Sequence, residues 1–410
     1  MCKGKVIAAF VSKHFLPIGT LFIIPLGILL PAPAVYLNGK LPVVQMCIVT
    51  LFFVIGTKFR LTEIQSALRC YRETALGIIV VLLLTPVVGT KLLMLPKFRE
   101  VPRSGLDVEK GTLNSSWTIE LPDFGPEEFR IGLQIFCVSP CASAFPTVVV
   151  TAANGNRALT LLVAITATTI SVFTVPVMTS WLIPAFQAAS VSFLTILPSV
   201  ILFILLPLIV GRLLRFIGLV KKVVTKLYTS LKFVTSGALL VMFWVKISQA
   251  TSKGDLQKFS PWMVVAVTAL GTAVITSFLV LTFILASLLR LPKKSILAVT
   301  VLSSARNSSI AIAVIENLPD SVGDKDLMFF PIIFVYLAMV VIINSFGCFM
   351  AIKKEENDIE QDMDTLEDKV DSADKLTLVE NPSVEQITSY NIPNTLNCIT
   401  LSTVQWCTAV

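Results

Sequence analysis

Residues 296–315 read ILAVTVLSSARNSSIAIAVI, an apolar segment of membrane-spanning length with polar residues at its centre. Six of the seven residues from Ser303 to Ser309 are polar, and ten residues of the segment precede Arg306. An arginine at the centre of a bilayer costs about 2.5–3.5 kcal/mol even on lenient insertion scales. Irregular backbone and polar groups at that depth are tolerated where protein or a cavity covers them. The segment therefore predicts an interrupted membrane helix that contributes to a buried polar site.

The composition of the whole chain agrees with a membrane location. The 410 residues are 55% hydrophobic and 14% charged, with a mean hydropathy of +0.82. Soluble globular domains are about 45–50% apolar and about 25% charged, so a polytopic membrane protein is indicated. His14 is the one histidine, so multi-histidine metal sites and histidine general bases have no residues to form them. Because paired intramembrane acids are also missing from the predicted spans, we expect neither an enzyme, a metal centre nor another cofactor.

Ten apolar segments approach the roughly 20 residues that a membrane helix needs. The predicted fold class is an all-α polytopic membrane protein with ten transmembrane helices, in two inverted five-helix repeats at 15–186 and 191–352. An odd number of spans in each half makes the halves inverted in the membrane, as in many secondary transporters. The predicted spans are Phe15–Leu37, Val43–Thr57, Ala75–Leu95, Ile131–Ala153, Ala158–Phe186, Val191–Val210, Phe233–Ile247, Trp262–Leu289, Ile296–Ile315 and Leu327–Ile352.

In each half the fourth span is the interrupted one. The first break extends from Ser139 to Pro146 and contains Pro140, and the second extends from Ser303 to Ser309. A kink at the prolines alone would be ordinary structure. Two breaks at equivalent repeat positions instead predict a shared central site, where helix N-termini face an anion or free carbonyls hold a cation.

Charge in the connecting segments predicts the topology. The side that holds the N-terminus, residues 1–14, carries 19 Lys and Arg residues in short segments, against 8 on the other side. Cytoplasmic loops retain positive charge, so both termini should be cytoplasmic. The loop 97–128 should then be lumenal or extracellular, and Asn114 in it begins an N-glycosylation pattern. These features predict a multi-pass glycoprotein of the plasma membrane or the secretory pathway.

The last segment, residues 353–410, differs from the spans because it carries 12 acids and 4 lysines. We expect a disordered cytoplasmic tail, since such a composition cannot bury a core. Its end, Cys407-Thr408-Ala409-Val410, fits a PDZ-type partner or lipidation of Cys407, although an end without a partner is the more common outcome for so short a motif. No nucleic-acid partner is expected, and the lipid bilayer is the main surroundings of the chain.

Arg306 is the residue that most strongly indicates a functional site, because no carboxylate in the predicted spans neutralises it. Three outcomes are open: carbonyls of the first break satisfy it, it extends along the helix to the membrane surface, or it pairs with an anionic substrate. We favour a role in binding an anion. Lys91 and Lys246 lie nearer to span ends, where their side chains can reach the surface. The predicted substrate contacts are Arg306, Asn307, Ser308, Ser303 and Ser304, with Ser139, Cys141, Ser143 and Thr147 opposite them.

The order and spacing of these motifs over about residues 10–352 resemble the bile acid:sodium symporter family, closest to its cotransporter 7-like branch. The resemblance implies a panel domain and a core domain, with two discontinuous helices crossing in the core near an organic-anion site and two sodium sites. The motifs that carry it are Leu61-Thr62-Glu63-Ile64, Thr85-Pro86, Ser139 to Pro146, Gly155-Asn156-Arg157-Ala158-Leu159 and Arg306-Asn307-Ser308.

Part of the family's ion-binding pattern is replaced in this chain. The resemblance implies ion-ligand roles for Thr160, Asn307 and Ser308. Leu302 and Arg306 stand where the family has an acidic and an amide residue, and Ala164 stands in place of a hydroxyl. Loss of a carboxylate removes a strong ligand for a hard cation, and a guanidinium repels one. Ordinary sodium coupling is therefore in question, and a fixed guanidinium in the place of sodium is our hypothesis.

Together these observations predict a secondary active transporter for a small organic anion, bile-acid-like or another carboxylated or sulfated amphipath. Alternating access by movement of core against panel is the expected mechanism. The alternative is a non-transporting regulatory membrane protein on a transporter fold, in which Arg306 is only a packing residue.

Overall fold

The computed structural model describes residues 15–58, 71–96, 98, 124–142, 144–254 and 259–377, with side chains up to 352 except those of 144, 228 and 229. Regular secondary structure in these ranges is helical, and one isolated bridge joins Cys141 to Arg306. The predicted all-α class is therefore confirmed. Six helices are individually long and apolar enough to cross a membrane.

The helices follow the predicted spans with shifted ends, and we number them α1 to α15. They are α1 Phe15–Leu29, α2 Pro31–Lys40, α3 Val43–Lys58, α4 Tyr71–Leu92, α5 Glu127–Val138, α6 Ala144–Ala152, α7 Arg157–Leu182, α8 Pro184–Ala188, α9 Phe193–Leu214, α10 Gly218–Lys226, α11 Tyr228–Ser252, α12 Pro261–Leu288, α13 Lys293–Ser304, α14 Ser308–Glu316 and α15 Lys325–Thr377.

The first and last predicted segments differ from expectation. The first span, predicted as Phe15–Leu37, is two helices bent by 89° at Leu30. Pro31 follows the bend and starts α2, because a proline has no N–H to continue the hydrogen bonds of α1. At the other end, α15 continues to Thr377 through the first part of the segment predicted to be disordered. Residues 353–377 contain neither proline nor glycine, so no residue there breaks the helix.

Two groups of helices pack more extensively within themselves than with each other. Bundle A contains α1, α2, α3, α9, α10 and α11, and bundle B contains α4 to α7 and α12 to α15. Within bundle A, Arg215 Nη1 donates to the carbonyl of Thr57 at 2.5 Å. The two bundles meet mainly along α11 with α15 and along α7 with α9.

Close contacts between helix backbones depend on glycine at several positions. A Cβ at Gly132 of α5 would lie 1.8 Å from the carbonyl oxygen of Met328 on α15. No rotamer change relieves that overlap, because the oxygen that the Cβ would meet belongs to the backbone. The broken helix α5 is therefore held directly against α15, which fixes where the first break lies.

Gly132→Ala is expected to destabilise the protein by about 3 kcal/mol, the upper end of the usual cost of overpacking, since α5 and α15 must move apart to admit a methyl group. Gly237→Ala is the matched control, because nothing lies within 4 Å of a Cβ at that position of α11. The control should leave the melting temperature unchanged or slightly raised, since alanine favours the helix. Thermal unfolding of both purified variants in detergent measures the difference, and equal melting temperatures would contradict the packing.

Candidate functional site

The first break begins where Pro140 interrupts the hydrogen-bond ladder of α5. Helix α5 ends at Val138, and Ser139 adopts extended backbone with ψ of 142°. Ser139 stays attached to the helix end, because its N–H and its Oγ both donate to the Ile135 carbonyl at 3.0 and 2.9 Å. Helix α6 starts at Ala144, so the first break lies between Val138 and Ala144.

The second break has a similar construction. Helix α13 ends at Ser304, and Ala305 leaves helical geometry with ψ of 79°. Asn307 then caps α14, since its Oδ1 accepts from the N–H of Ser309 at 3.1 Å. Asparagine is among the residues best suited to this capping position. The polar residues that marked the break in the sequence therefore include the cap that starts the next helix.

The two breaks meet each other as a short antiparallel pair. Ala142 N–H donates to the carbonyl of Ala305 at 2.8 Å, and Asn307 N–H donates to the carbonyl of Pro140 at 2.9 Å. Cys141 and Arg306 are the bridged residues between these bonds. Two N–H groups and two carbonyls in the breaks are thus satisfied by the opposite break, as burial away from water requires. The prediction that the two interrupted segments meet is confirmed.

Arg306 extends from this crossing into a fully buried position. Its Nη1 donates to the carbonyls of Ser139 at 2.9 Å and of Cys137 and Val81 at 3.3 Å each, and its Nη2 donates to the carbonyl of Ser303. These four carbonyls are called the carbonyl cage below. The guanidinium carbon also lies 5.5 Å from the ring centroid of Phe278, a favourable position for a cation.

The carbonyl of Val81 is available because α4 contains one π-helical turn, Val80–Leu84. In this turn the N–H of Thr85 donates to the Val80 carbonyl, five residues earlier, and Pro86 has no N–H to donate to the Val81 carbonyl in the same register. Thr85 Oγ1 instead donates to the carbonyls of Val80 and Val81 at 2.9 and 3.2 Å. Thr85-Pro86, one of the motifs behind the family resemblance, thus changes the register of α4 next to the cage.

The electrostatics of the cage suit a cation. Cys137 and Ser139 lie at the C-terminal end of α5, and Ser303 lies at that of α13, where the helix dipole is negative. Among the described residues, the hydrogen bonds of the guanidinium go to carbonyls, and no carboxylate pairs with it. The structure therefore shows the first of the three predicted outcomes, bonding to carbonyls, at Nη1 and Nη2, whereas the buried Nε has no partner in the part of the chain that the structure describes. The full positive charge nevertheless remains at the crossing, since a carbonyl carries no net charge.

The other predicted contact residues gather around the crossing or use their hydroxyls locally. Ser303 Oγ and Ser304 Oγ donate to the Thr300 carbonyl at 2.7 and 3.3 Å, and Ser308 is buried as the first residue of α14. Thr147 is half-buried on α6. Thr160 lies in the first turn of α7, where its Oγ1 donates to the Asn156 carbonyl at 2.9 Å. Ser143 and Asn114 lie outside the described residues.

The interpretation of Lys246 as a side chain that reaches the membrane surface is wrong. Lys246 is 4% exposed, and its Nζ lies 2.6 Å from Glu316 Oε2 and 3.1 Å from Asp326 Oδ1. Helix α11 extends to Ser252, five residues beyond the predicted end of the seventh span, so Lys246 is farther from the helix end than expected. Lys91, in contrast, is exposed.

Interrupted helices whose breaks meet inside an all-helical membrane protein are characteristic of secondary transporters. The chain belongs to the SBF-like CPA transporter family, whose model matches residues 14–351. It is similar to the probable sodium/metabolite cotransporter BASS4, chloroplastic, of Arabidopsis thaliana, with 25% identity over 352 residues that cover 83% of this chain and 73% of the relative. The proteins of the same name in Oryza sativa subsp. indica and subsp. japonica are each 22% identical over 355 residues, 83% of this chain and 76% of theirs.

These comparisons confirm the bile acid:sodium symporter type that the sequence motifs indicated. The chain is accordingly a membrane transporter by family and not an enzyme.

Proposed function

We propose that this protein is a secondary active transporter that moves a small organic anion by alternating access, with bundle B as the core and bundle A as the panel of a ten-span inverted-repeat fold. The observation that carries the proposal is the crossing of the two breaks around the buried charge of Arg306. In transporters of this architecture, the substrate binds where discontinuous helices meet near the middle of the bilayer.

An anion is the solute that this crossing suits best. The net charge of Arg306 acts on its surroundings although its Nη1 and Nη2 donate to carbonyls, and its buried Nε has no partner among the described residues. The N-terminal end of α14 begins at Ser308, two residues beyond Arg306, and contributes a second positive potential. Asn307, Ser308 and Thr147 are the proposed hydrogen-bonding contacts. Small carboxylates, steroid conjugates and sulfated amphipaths all present an anionic group of the required kind.

The coupling ion is the second part of the proposal. The curated relatives are named as sodium/metabolite cotransporters, which makes sodium the coupling ion to test. In this chain, the guanidinium of Arg306 lies in a carbonyl cage of the kind that binds a cation, and the buried side chain of Leu302 has no oxygen to bind one. We therefore propose that Arg306 occupies the position of one coupling cation and that transport needs no sodium ion there.

Several expectations from the sequence remain proposals alongside this function. They are the cytoplasmic termini, a plasma-membrane or secretory-pathway location, glycosylation at Asn114 and a PDZ-type partner at the C-terminus. The ion-ligand role of Thr160 also remains a proposal: its hydroxyl donates to the Asn156 carbonyl, and a donating hydroxyl keeps oxygen lone pairs that can bind a cation.

Uptake into proteoliposomes tests both parts. Taurocholate, estrone sulfate and pyruvate serve as labelled probes of the three anion classes, in sodium chloride and in choline chloride of equal strength. We expect at least one anion to accumulate, with initial rates that agree within about twofold between the two salts, because Arg306 supplies the cation. Strict sodium dependence would contradict the role given to Arg306. Failure to transport any of the anions, with no melting shift on adding them, would favour the regulatory alternative.

A further inference from the structure

A second group of charges lies away from the crossing, at the ends of α11, α14 and α15. Lys246 Nζ lies 2.6 Å from Glu316 Oε2 and 3.1 Å from Asp326 Oδ1. Lys253 Nζ lies 2.6 Å from Asp326 Oδ2 and 3.1 Å from Asp324 Oδ2. Asp326 therefore binds both lysines, one with each carboxylate oxygen.

This charge cluster connects the two bundles. Its lysines belong to the α11 end of bundle A, and its three carboxylates belong to α14, α15 and the segment between them in bundle B. A further contact follows the same division, since Gln45 Nε2 of α3 donates to Glu316 Oε1 at 3.3 Å. Every bond named here would be broken if the two bundles separated at this end.

The inner part of the charge cluster is buried, which strengthens the attraction between its charges. Lys246 is 4% exposed and the side chain of Asp326 is 7% exposed, so water screens their attraction weakly. Lys253 is about half-exposed at the outer edge. Burial lowers the pKa of Lys253, but its bonds to Asp326 and Asp324 outweigh burial and raise that pKa, so the lysine remains charged at neutral pH.

An apolar layer lies directly beside the charges. Phe243 of α11 lies three residues from Lys246, and its ring centroid is 5.7 Å from that of Phe329 and 5.9 Å from that of Tyr336, both on α15. Residues three apart share one face of a helix, so the ion pairs and the aromatic contacts form one continuous interface between the bundles.

We infer that this cluster is a latch: the ion pairs of Lys246 and Lys253 with Glu316, Asp324 and Asp326 hold bundles A and B closed at this end, and the transport cycle must break them to open it. Separation leaves positive groups on one bundle and three carboxylates on the other, which must regain water. The latch therefore favours the closed arrangement, and weakening it shifts the population toward the open one. The inference rests on the bundle movement proposed above.

The test measures the distance between the bundles directly. Spin labels are placed at Leu41→Cys in bundle A and at Ser321→Cys in bundle B, two exposed positions at the latch end, in a full-length background whose reactive native cysteines are serine. Double electron–electron resonance in lipid nanodiscs then gives the distribution of distances between the two spin labels. We expect one short distance with the latch intact, and an added longer distance when Glu316→Gln and Asp326→Asn are combined.

Two further variants keep the test decisive if the double variant folds poorly. Lys253→Gln removes a charge at the exposed edge of the latch and should add a smaller population at the longer distance, whereas Lys253→Arg should restore the short one. Lys325→Gln is the matched control, because Lys325 pairs with Asp320 at 3.1 Å within bundle B. It should leave the distribution unchanged.

The outcomes separate the latch from the transport proposal. Distributions identical to that of the intact protein in folded latch variants would overturn the latch, whether or not the protein carries anions. A longer distance in the latch variants, with no anion uptake by the intact protein, would overturn the transport proposal and leave the latch in place.

Discussion

Arg306→Ala is expected to unfold at a much lower temperature than the native protein and to lose anion uptake. The substitution removes one donor from each of the carbonyls of Val81, Cys137, Ser139 and Ser303 and leaves a cavity between them, and of these Val81 keeps the hydroxyl of Thr85. A buried polar group without a partner costs about 1–3 kcal/mol, so for the three other carbonyls we expect a loss of at least about 3 kcal/mol. Thermal unfolding in detergent and proteoliposome uptake measure the two effects.

Two variants control this experiment. Arg157→Ala removes an exposed arginine at the start of α7 and should change stability by less than about 0.5 kcal/mol. Arg306→Lys retains the charge but has a single nitrogen, which cannot reach four carbonyls in the same geometry, so its stability should be intermediate. Native-like melting of Arg306→Ala would show that the cage does not hold the crossing together.

Lys246→Met is the second substitution for which a large effect is expected. It leaves the buried Glu316 without a cation, while Asp326 keeps only its bond to Lys253. Removing one partner from a buried ion pair typically costs about 3–5 kcal/mol, because the remaining charge is uncompensated. The melting temperature of the purified variant should therefore fall well below that of Lys91→Met, in which the lysine lost is exposed.

A further variant tells whether uncompensated charge or lost packing lowers the melting temperature of Lys246→Met. Adding Glu316→Gln and Asp326→Asn to Lys246→Met removes the carboxylate charges that faced Lys246, and Lys253 keeps Asp324, so most of the melting temperature should be recovered. If the triple variant melts as low as Lys246→Met alone, then burial of Lys246 contributes through its apolar stem, and the electrostatic account is wrong.

The breaks themselves could be predicted from the sequence because their cause is local. Pro140 lacks a donor, and the polar residues from Ser303 to Ser309 are out of place in an apolar span. The pairing of the two breaks followed from their equivalent positions in the two halves. The carbonyls that hold Arg306 could not be assigned in the same way, because that of Val81 becomes available only through the π-helical turn of α4. The pattern of apolar and polar side chains in a sequence does not show whether a helical turn has α or π hydrogen bonds.

The charge cluster shows a different limit of sequence reasoning. Glu316 and Asp326 follow the ninth predicted span and Lys246 ends the seventh, so their contact depends on how distant helices pack. Counting residues to the nearest span end gave the wrong environment for Lys246 because the helix is longer than its apolar part. The bend at Leu30 was missed for the opposite reason, since hydropathy continues across Pro31 although the helix does not.

The most direct test of the central claim, that the Arg306 guanidinium occupies a cation position, compares melting temperatures in sodium chloride and choline chloride of equal strength. The native protein should melt at the same temperature in both salts, because its own side chain fills the carbonyl cage. Arg306→Ala should melt higher in sodium, since an ion that binds the folded state stabilises it by mass action. Stabilisation of the native protein by sodium, with none of the variant, would contradict the claim.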